Sequence, residues 1–273
     1  MQALMHALVP QQLLARINYC WRLLGTAISF TVFGLGGLLL PLLVFPLLLL
    51  LPAARRLPPA RWIIQQSFRL FLWMMETLGV MRLEVVGAER LKNCRDVLVL
   101  ANHPTLIDAV ALVALIPSAS CVVKQAVWNN PLMGGVVRAA DYISNSNPKQ
   151  LVQACTEELV AGNPLVIFPE GTRSRPGEPL HFLCGPAYIA LKSRLPVLPV
   201  LIDCTPSTLT KRERWYQIPN RRFHLRIEAL EPLPISHWLP DAEPSAMAAR
   251  KLTHALENYF TEELGGRHGR TAA

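Results

Sequence analysis

Between Arg22 and Arg55 the chain carries no charged residue, and this stretch limits the possible folds more than any other. Residues 26–51 read TAISFTVFGLGGLLLPLLVFPLLLLL. A hydrocarbon core of ~30 Å is crossed by about 20 helical residues, so the run is long enough to span a bilayer. It fits a cleaved signal peptide poorly, being too long and too far from Met1, with no small-residue cleavage site before Arg55. Pro41 and Pro46 remove helical hydrogen bonds, and Gly34, Gly36 and Gly37 weaken helix propensity. Cations flank both sides (Arg16 and Arg22 before; Arg55, Arg56 and Arg61 after), so charge sets no orientation. A spanning helix and a bent hairpin entering one leaflet both remain open, with a buried core helix as a third reading. Residues 62–81 are helical in pattern and rich in Trp, Phe and Met. They suit either the lipid interface, with Arg61 and Arg69 among headgroups, or a cover over one face of a sheet.

Composition agrees with a lipid-facing surface. Of 273 residues, 51% are hydrophobic and only 17% charged, and the formal net charge is +8. A basic chain favours an anionic partner, and an acidic membrane surface also accounts for the apolar excess, which nucleic acid does not. The six cysteines (Cys20, Cys94, Cys121, Cys155, Cys184, Cys204) show no C-x-x-C pair. They read as reduced thiols on a cytoplasm-facing chain, with neither a disulfide framework nor a metal site.

From residue 82 the pattern changes. Short β-branched runs at 82–87, 96–102, 120–124, 164–168, 196–202 and 224–230 read as strands. Stretches at 106–116, 149–161 and 187–194 read as helices, and 245–264 as a closing amphipathic helix capped by Ser245. Alternating strands and helices imply an α/β sandwich around a largely buried sheet. The expected organisation is an N-terminal membrane-anchoring helical region at 1–81, an α/β domain at 82–266 and a frayed tail at 267–273.

Two strands end in loops that carry chemistry. In VLVLANHPTLID (97–108) the strand stops at Asn102 and Pro104 sits where a helix begins, a position proline tolerates. His103 then lies off the helix and can fold its ring back over Asp108, a turn further on. The carboxylate would accept the Nδ1 proton and leave Nε2 free as a base. In PLVIFPEGTRSR (164–175) a second strand delivers Glu170, Gly171, Thr172 and Arg173 to the same kind of edge. Arginine forks suit phosphate, and Gly171 admits backbone amides to an anion. Alone, each loop reads as an ordinary turn. Two of them at strand ends, where α/β sheets bind ligands, suggest one shared cleft.

These residues resemble the glycerophospholipid acyltransferase family. Its N-H-x4-D signature appears as Asn102, His103 and Asp108, and its F-P-E-G-T-R-S signature as Phe168 to Ser174. A proline-bearing strand at 195–202 (Pro196, Pro199) and the block at 124–143, through Lys124, Pro131 and Gly134, are similar to further family elements. The resemblance implies a glycerolipid acyltransferase-like α/β sandwich. It implies that His103 deprotonates an acceptor hydroxyl, oriented by Asp108, and that the oxygen attacks an acyl thioester of CoA or acyl carrier protein (ACP). Asn102, Lys124, Glu170, Gly171, Thr172 and Arg173 would bind substrate, with Arg173 on the acceptor phosphate. It implies no cofactor beyond the thioester co-substrate and no metal. The implied acceptor is a lysophospholipid of the 1-acylglycerol-3-phosphate kind, at the cytoplasmic face of the inner membrane. Two family cations are replaced, one by Asn145 and one by Leu183, which leaves a specialised polyene or other non-glycerol lipid as the alternative acceptor. A catalytically silent lipid-binding protein is the alternative of another class. The basic stretch at 211–226, with Trp215 and Tyr216, suits anionic headgroups or an acidic carrier protein better than nucleic acid.

Overall fold

The structure, a computed structural model, describes residues 11–52, 55–239 and 244–271. The uncharged run forms one helical stretch, Gln11–Leu48, long and apolar enough to cross a membrane by length and composition. It consists of α1 (Gln11–Leu39), a π-helical segment (Leu40–Val44) and α2 (Phe45–Leu48). Pro41 falls at the start of the π-helical segment, whose wider hydrogen bonding absorbs it, and Pro46 at the start of α2, where proline is tolerated. The glycines allow close packing. A Cβ on Gly37 would stand 2.4 Å from the Leu132 carbonyl oxygen, and one on Gly135 would stand 2.4 Å from Pro41.

The chain then turns back as α3 (Leu57–Thr77). Phe33 packs on Phe68 and Phe71, and Phe30 on Phe71, which makes α1 and α3 an antiparallel hairpin. α3 combines both roles open to it from sequence. Ile64, Phe68, Phe71, Leu72 and Met75 share a core with the sheet, while Trp62, Leu70 and Trp73 are exposed. The core therefore crosses residue 81. Arg61, expected among headgroups, is instead buried. Its Nε donates to the Ala140 carbonyl at 3.0 Å, and its Nη1 lies 2.7 Å from Glu158 Oε1. Burial of an arginine requires such partners.

Seven strands form the sheet: β1 (Met81–Val86), β2 (Leu98–Ala101), β3 (Ser120–Val123), β4 (Ile143–Ser144), β5 (Leu165–Ile167), β6 (Val197–Thr205) and β7 (Phe223–Ala229). Their order is β1-β7-β6-β2-β5-β3-β4. All neighbours are parallel except β6 and β7. Side chains alternate strictly about this sheet. Val99, Ala101, Val166, Leu198 and Val200 join the core beneath α3 and α5 (Asp108–Leu115). Leu98, Leu100, Leu165, Ile167 and Leu201 join the core of the other face. That face is covered by α8 (Pro148–Val160), α9 (Cys184–Ser193) and α10 (Ala246–Thr271). The period of two, buried on both faces, is why these strands read as continuous apolar runs.

Among the short elements that escaped the sequence pattern are α4 (Ala88–Asn93), α6 (Gln125–Trp128), α7 (Gly134–Ala139) and β4. Ser245 caps α10 as expected, its Oγ accepting from the Ala248 N–H at 3.1 Å. The helix is not ended at 267. It continues to Thr271 through Gly265 and Gly266, since glycine lowers helix propensity without the steric stop of proline. Residues 272–273 of the expected tail lie outside the described residues.

Candidate active site

Because β2 and β5 are parallel neighbours, with Leu100 paired to Ile167, their C-terminal ends open at the same edge. The two chemical loops therefore meet. Beyond β2, Asn102 extends the pairing with β6 through its side chain. Its Nδ2 donates to the Ile202 carbonyl and its Oδ1 accepts from the Ile202 N–H, both at 2.8 Å. Asn102 is buried with both ends of its amide engaged. Its side chain holds the strand end against β6.

His103 Nδ1 lies 2.8 Å from Asp108 Oδ2. The expected pairing is present, but its geometry differs in detail. The helix α5 starts at Asp108 itself, four residues after Pro104, and residues 104–107 form a turn. Asp108 organises that turn. Its Oδ2 accepts from the Thr105 N–H at 2.6 Å, and its Oδ1 accepts from the Thr105 hydroxyl. Thr105 was not singled out from sequence, although its place three residues before an aspartate at a helix start was a readable signal. Asp108 is fully buried and the His103 side chain is 19% exposed. A carboxylate accepts only, so Nδ1 carries the proton and Nε2 is left with a free lone pair.

The second loop fixes the first. Glu170 Oε1 accepts from the His103 N–H at 2.9 Å and from the Ser174 hydroxyl at 2.7 Å. The Ser174 N–H donates to the His103 carbonyl at 2.7 Å. Both polar groups of the His103 backbone are thus held by the loop after β5, and Phe168 stacks on the imidazole at 4.2 Å between ring centroids. The motif residues Phe168 and Ser174 acquire roles that their sequence context did not reveal. Burial raises the Glu170 carboxyl above its ordinary range, against the lowering effect of its bonds to Ser174 and His103.

This burial gives a test of Glu170 as a positioning residue. Glu170→Gln keeps an acceptor oxygen for both bonds and retains activity within about tenfold, whereas Glu170→Ala strands two donors and costs about 100-fold. Its folded carboxyl is raised above the unfolded value, so the wild type loses stability as pH rises through that interval. Thermal melts should show Glu170→Gln gaining on the wild type above the carboxyl range and matching it below.

Gly171 has φ +62°, and a Cβ there would stand 2.7 Å from Leu183 Cδ1. Leu183, at one of the replaced cation positions, thus covers this turn. Thr172 is half-buried beside it. Arg173 Nη1 donates to the carbonyls of Leu209 at 2.9 Å and Thr210 at 2.8 Å. Burial lowers the pKa of its guanidinium, opposed by the Asp108 charge. Lys124 lies at the start of α6, and burial, then Lys211, then Arg173 lower the pKa of its ammonium. Lys211, read from sequence only as part of a basic stretch, is thus one of the charges acting on Lys124. Asn145, at the other replaced cation position, caps α6 by accepting from the Gln125 N–H at 3.0 Å. Among the described residues, no group of three or more His, Cys, Asp or Glu is arranged to hold a metal ion.

Chemically, the site offers a carboxylate-oriented imidazole on a loop bonded to the one that carries Arg173. The sequence model of the Acyltransferase family matches residues 82–203, which contain both loops. The 1-acyl-sn-glycerol-3-phosphate acyltransferase of Limnanthes douglasii is 31% identical over 170 residues, 58% of this chain and 57% of that one. The alpha form from Mus musculus is 24% identical over 215 residues, 72% of each chain. The matches to the plant relatives from Limnanthes douglasii and Cocos nucifera span 57% and 54% of their lengths, little more than half. The crystal structure of the 1-acyl-sn-glycerophosphate (LPA) acyltransferase from Thermotoga maritima shares the fold, with a TM-score of 0.64 at 22% identity, over 92% of this chain and 98% of that one. Both signature loops, their meeting at one sheet edge and these similarities agree: residues 82–203 match the Acyltransferase family, and the chain is similar to 1-acyl-sn-glycerol-3-phosphate acyltransferases.

Proposed function

We propose that the protein transfers a fatty acyl chain from a thioester, acyl-CoA or acyl-ACP, to the free hydroxyl of a lysophospholipid of the 1-acylglycerol-3-phosphate kind. The observation that carries this reading is the His103–Asp108 pair, whose loop is held by the loop that bears Arg173. Nε2 takes the acceptor's hydroxyl proton as the oxygen attacks the thioester carbonyl. The tetrahedral intermediate collapses with loss of the thiolate, which receives the proton from the imidazolium. Asp108 stabilises that cation between the two steps. No cofactor beyond the thioester donor enters this scheme. Lys124 and Arg173 suit the phosphate, with Arg173 held in place by the backbone at 209–210.

The membrane supplies the acceptor in this reading. Ile17, Trp21, Leu24, Ile28 and Leu35 form an exposed stripe along α1, and Trp62 and Trp73 are exposed on α3. Such a hairpin suits insertion at the cytoplasmic face of the inner membrane. A second reading has specific support. Asn145 and Leu183 place neutral groups where the family carries cations, which suits acyl transfer to a specialised lipid without a phosphate.

An acceptor panel read by mass spectrometry separates these readings. Purified protein in vesicles receives acyl-CoA or acyl-ACP with lysophosphatidate, other lysophospholipids or long-chain alcohols. The expected result is lysophosphatidate gaining one acyl mass with release of one thiol. Gain on phosphate-free acceptors alone would replace the first reading by the second. No gain on any acceptor would favour a catalytically silent lipid-binding protein.

A further inference from the structure

The segment 206–222 connects β6 to β7 and lies beyond residues 82–203, the stretch shared with the family. It is tied down at both ends by arginines from distant parts of the chain. Arg173 donates to the carbonyls of Leu209 and Thr210, as described above. Arg22, expected only to flank the apolar run, is buried in α1 and donates to the carbonyls of Pro219 and Asn220, each at 2.7 Å. Between them Trp215 rests on Phe30 of α1, with ring centroids 5.9 Å apart. Glu213 Oε2 accepts from the Thr210 N–H at 3.0 Å, closing a turn around Lys211. Lys211 is thereby fixed next to the backbone that Arg173 grips.

Lys124 approaches the same place from the start of α6, and the charges that act on it are those of Lys211 and Arg173. Among the described residues, none of the three cations forms an ion pair. Like charges brought together with no carboxylate at ion-pairing distance favour an anion between them. A phosphomonoester carries about −1.5 to −2 charges at neutral pH, more than one fixed cation neutralises. Arg173 already spends one nitrogen on the protein backbone, Asn145 caps α6, and Leu183 covers Gly171.

We propose that Lys211 is a specificity-determining residue, the third cation of the acceptor-phosphate site, and that it replaces the charge missing at Asn145 and Leu183. The strap held by Arg22 and Arg173 delivers it from outside the shared motifs. The consequence is preference for a phosphomonoester acceptor, lysophosphatidate, over a singly charged phosphodiester such as lysophosphatidylglycerol. This inference rests on the reading of the acceptor as a phosphorylated lysolipid.

Two measurements test it on the full-length protein. In kinetics, Lys211→Gln raises KM for lysophosphatidate about tenfold, leaves kcat within about twofold and changes KM for lysophosphatidylglycerol little. Lys211→Arg restores the wild-type KM. An unchanged KM for lysophosphatidate in Lys211→Gln overturns the proposal. The second measurement needs no turnover: amine labelling of wild-type protein in detergent, with labelled lysines identified by peptide mass spectrometry. Lysophosphatidate should protect Lys211 and Lys124, and 1-oleoylglycerol should protect neither. Equal labelling of Lys211 with both lipids overturns the proposal. Protection by lysophosphatidate without acyl transfer would instead overturn the proposed reaction and leave the phosphate site standing.

Discussion

Asp108→Asn lowers acyl transfer by about 10³-fold while leaving the protein folded. The asparagine amide can turn in two ways, and both harm the base. With its NH₂ toward the ring, His103 must accept at Nδ1, the imidazole proton moves to Nε2 and no lone pair faces the acceptor. With its NH₂ toward Thr105, the hydroxyl can turn to accept and the tautomer survives. The negative charge that steadies the imidazolium is still lost. Asparagine suits this test better than alanine. Asp108 is fully buried, and alanine would leave the Thr105 N–H and the His103 ring N–H without an acceptor. Initial rates, read with a thermal melt of each protein, check the prediction. Near wild-type rates in a folded Asp108→Asn variant would remove the carboxylate from the mechanism.

His103→Ala has the second large effect, a loss of about 10²–10⁴-fold, the usual contribution of a general base. The loop should keep its path, because its position does not depend on the imidazole. Glu170 holds the His103 N–H and Ser174 holds its carbonyl, and both bonds are made by backbone that alanine retains. The lost contact is the stack on Phe168, at the partly exposed edge of the site. Thioester binding, measured separately with a non-transferable acyl-CoA analogue, should stay within about twofold of the wild type.

Local chemistry was legible in the sequence and distant partners were not. The strand ends carrying His103 and Glu170 followed from short β-branched runs, and their shared edge from the rule that α/β sheets bind ligands there. The pairing of His103 with Asp108 needed only five residues of chain. By contrast, Arg22 looked like a flanking charge because its carbonyl partners, Pro219 and Asn220, lie 197 and 198 residues further along the chain. Asn102 looked like a ligand-binding residue because Ile202, which occupies its amide, becomes a neighbour only once β6 lies beside β2. Lys211 was indistinguishable from the basic residues around it until Arg173 was seen to fix the preceding backbone. The prolines of the apolar run left a bent hairpin open beside a spanning helix, whereas a shift to π-helical bonding accommodates Pro41.

The central claim is that His103 activates a lysophospholipid hydroxyl toward an acyl thioester. Acceptor-dependent thiol release tests it most directly, followed with wild type and His103→Ala in the same vesicles. The account predicts that lysophosphatidate accelerates thiol release by the wild type and not by His103→Ala, although both bind the donor. Equal acceptor-dependent release by the two proteins would contradict it.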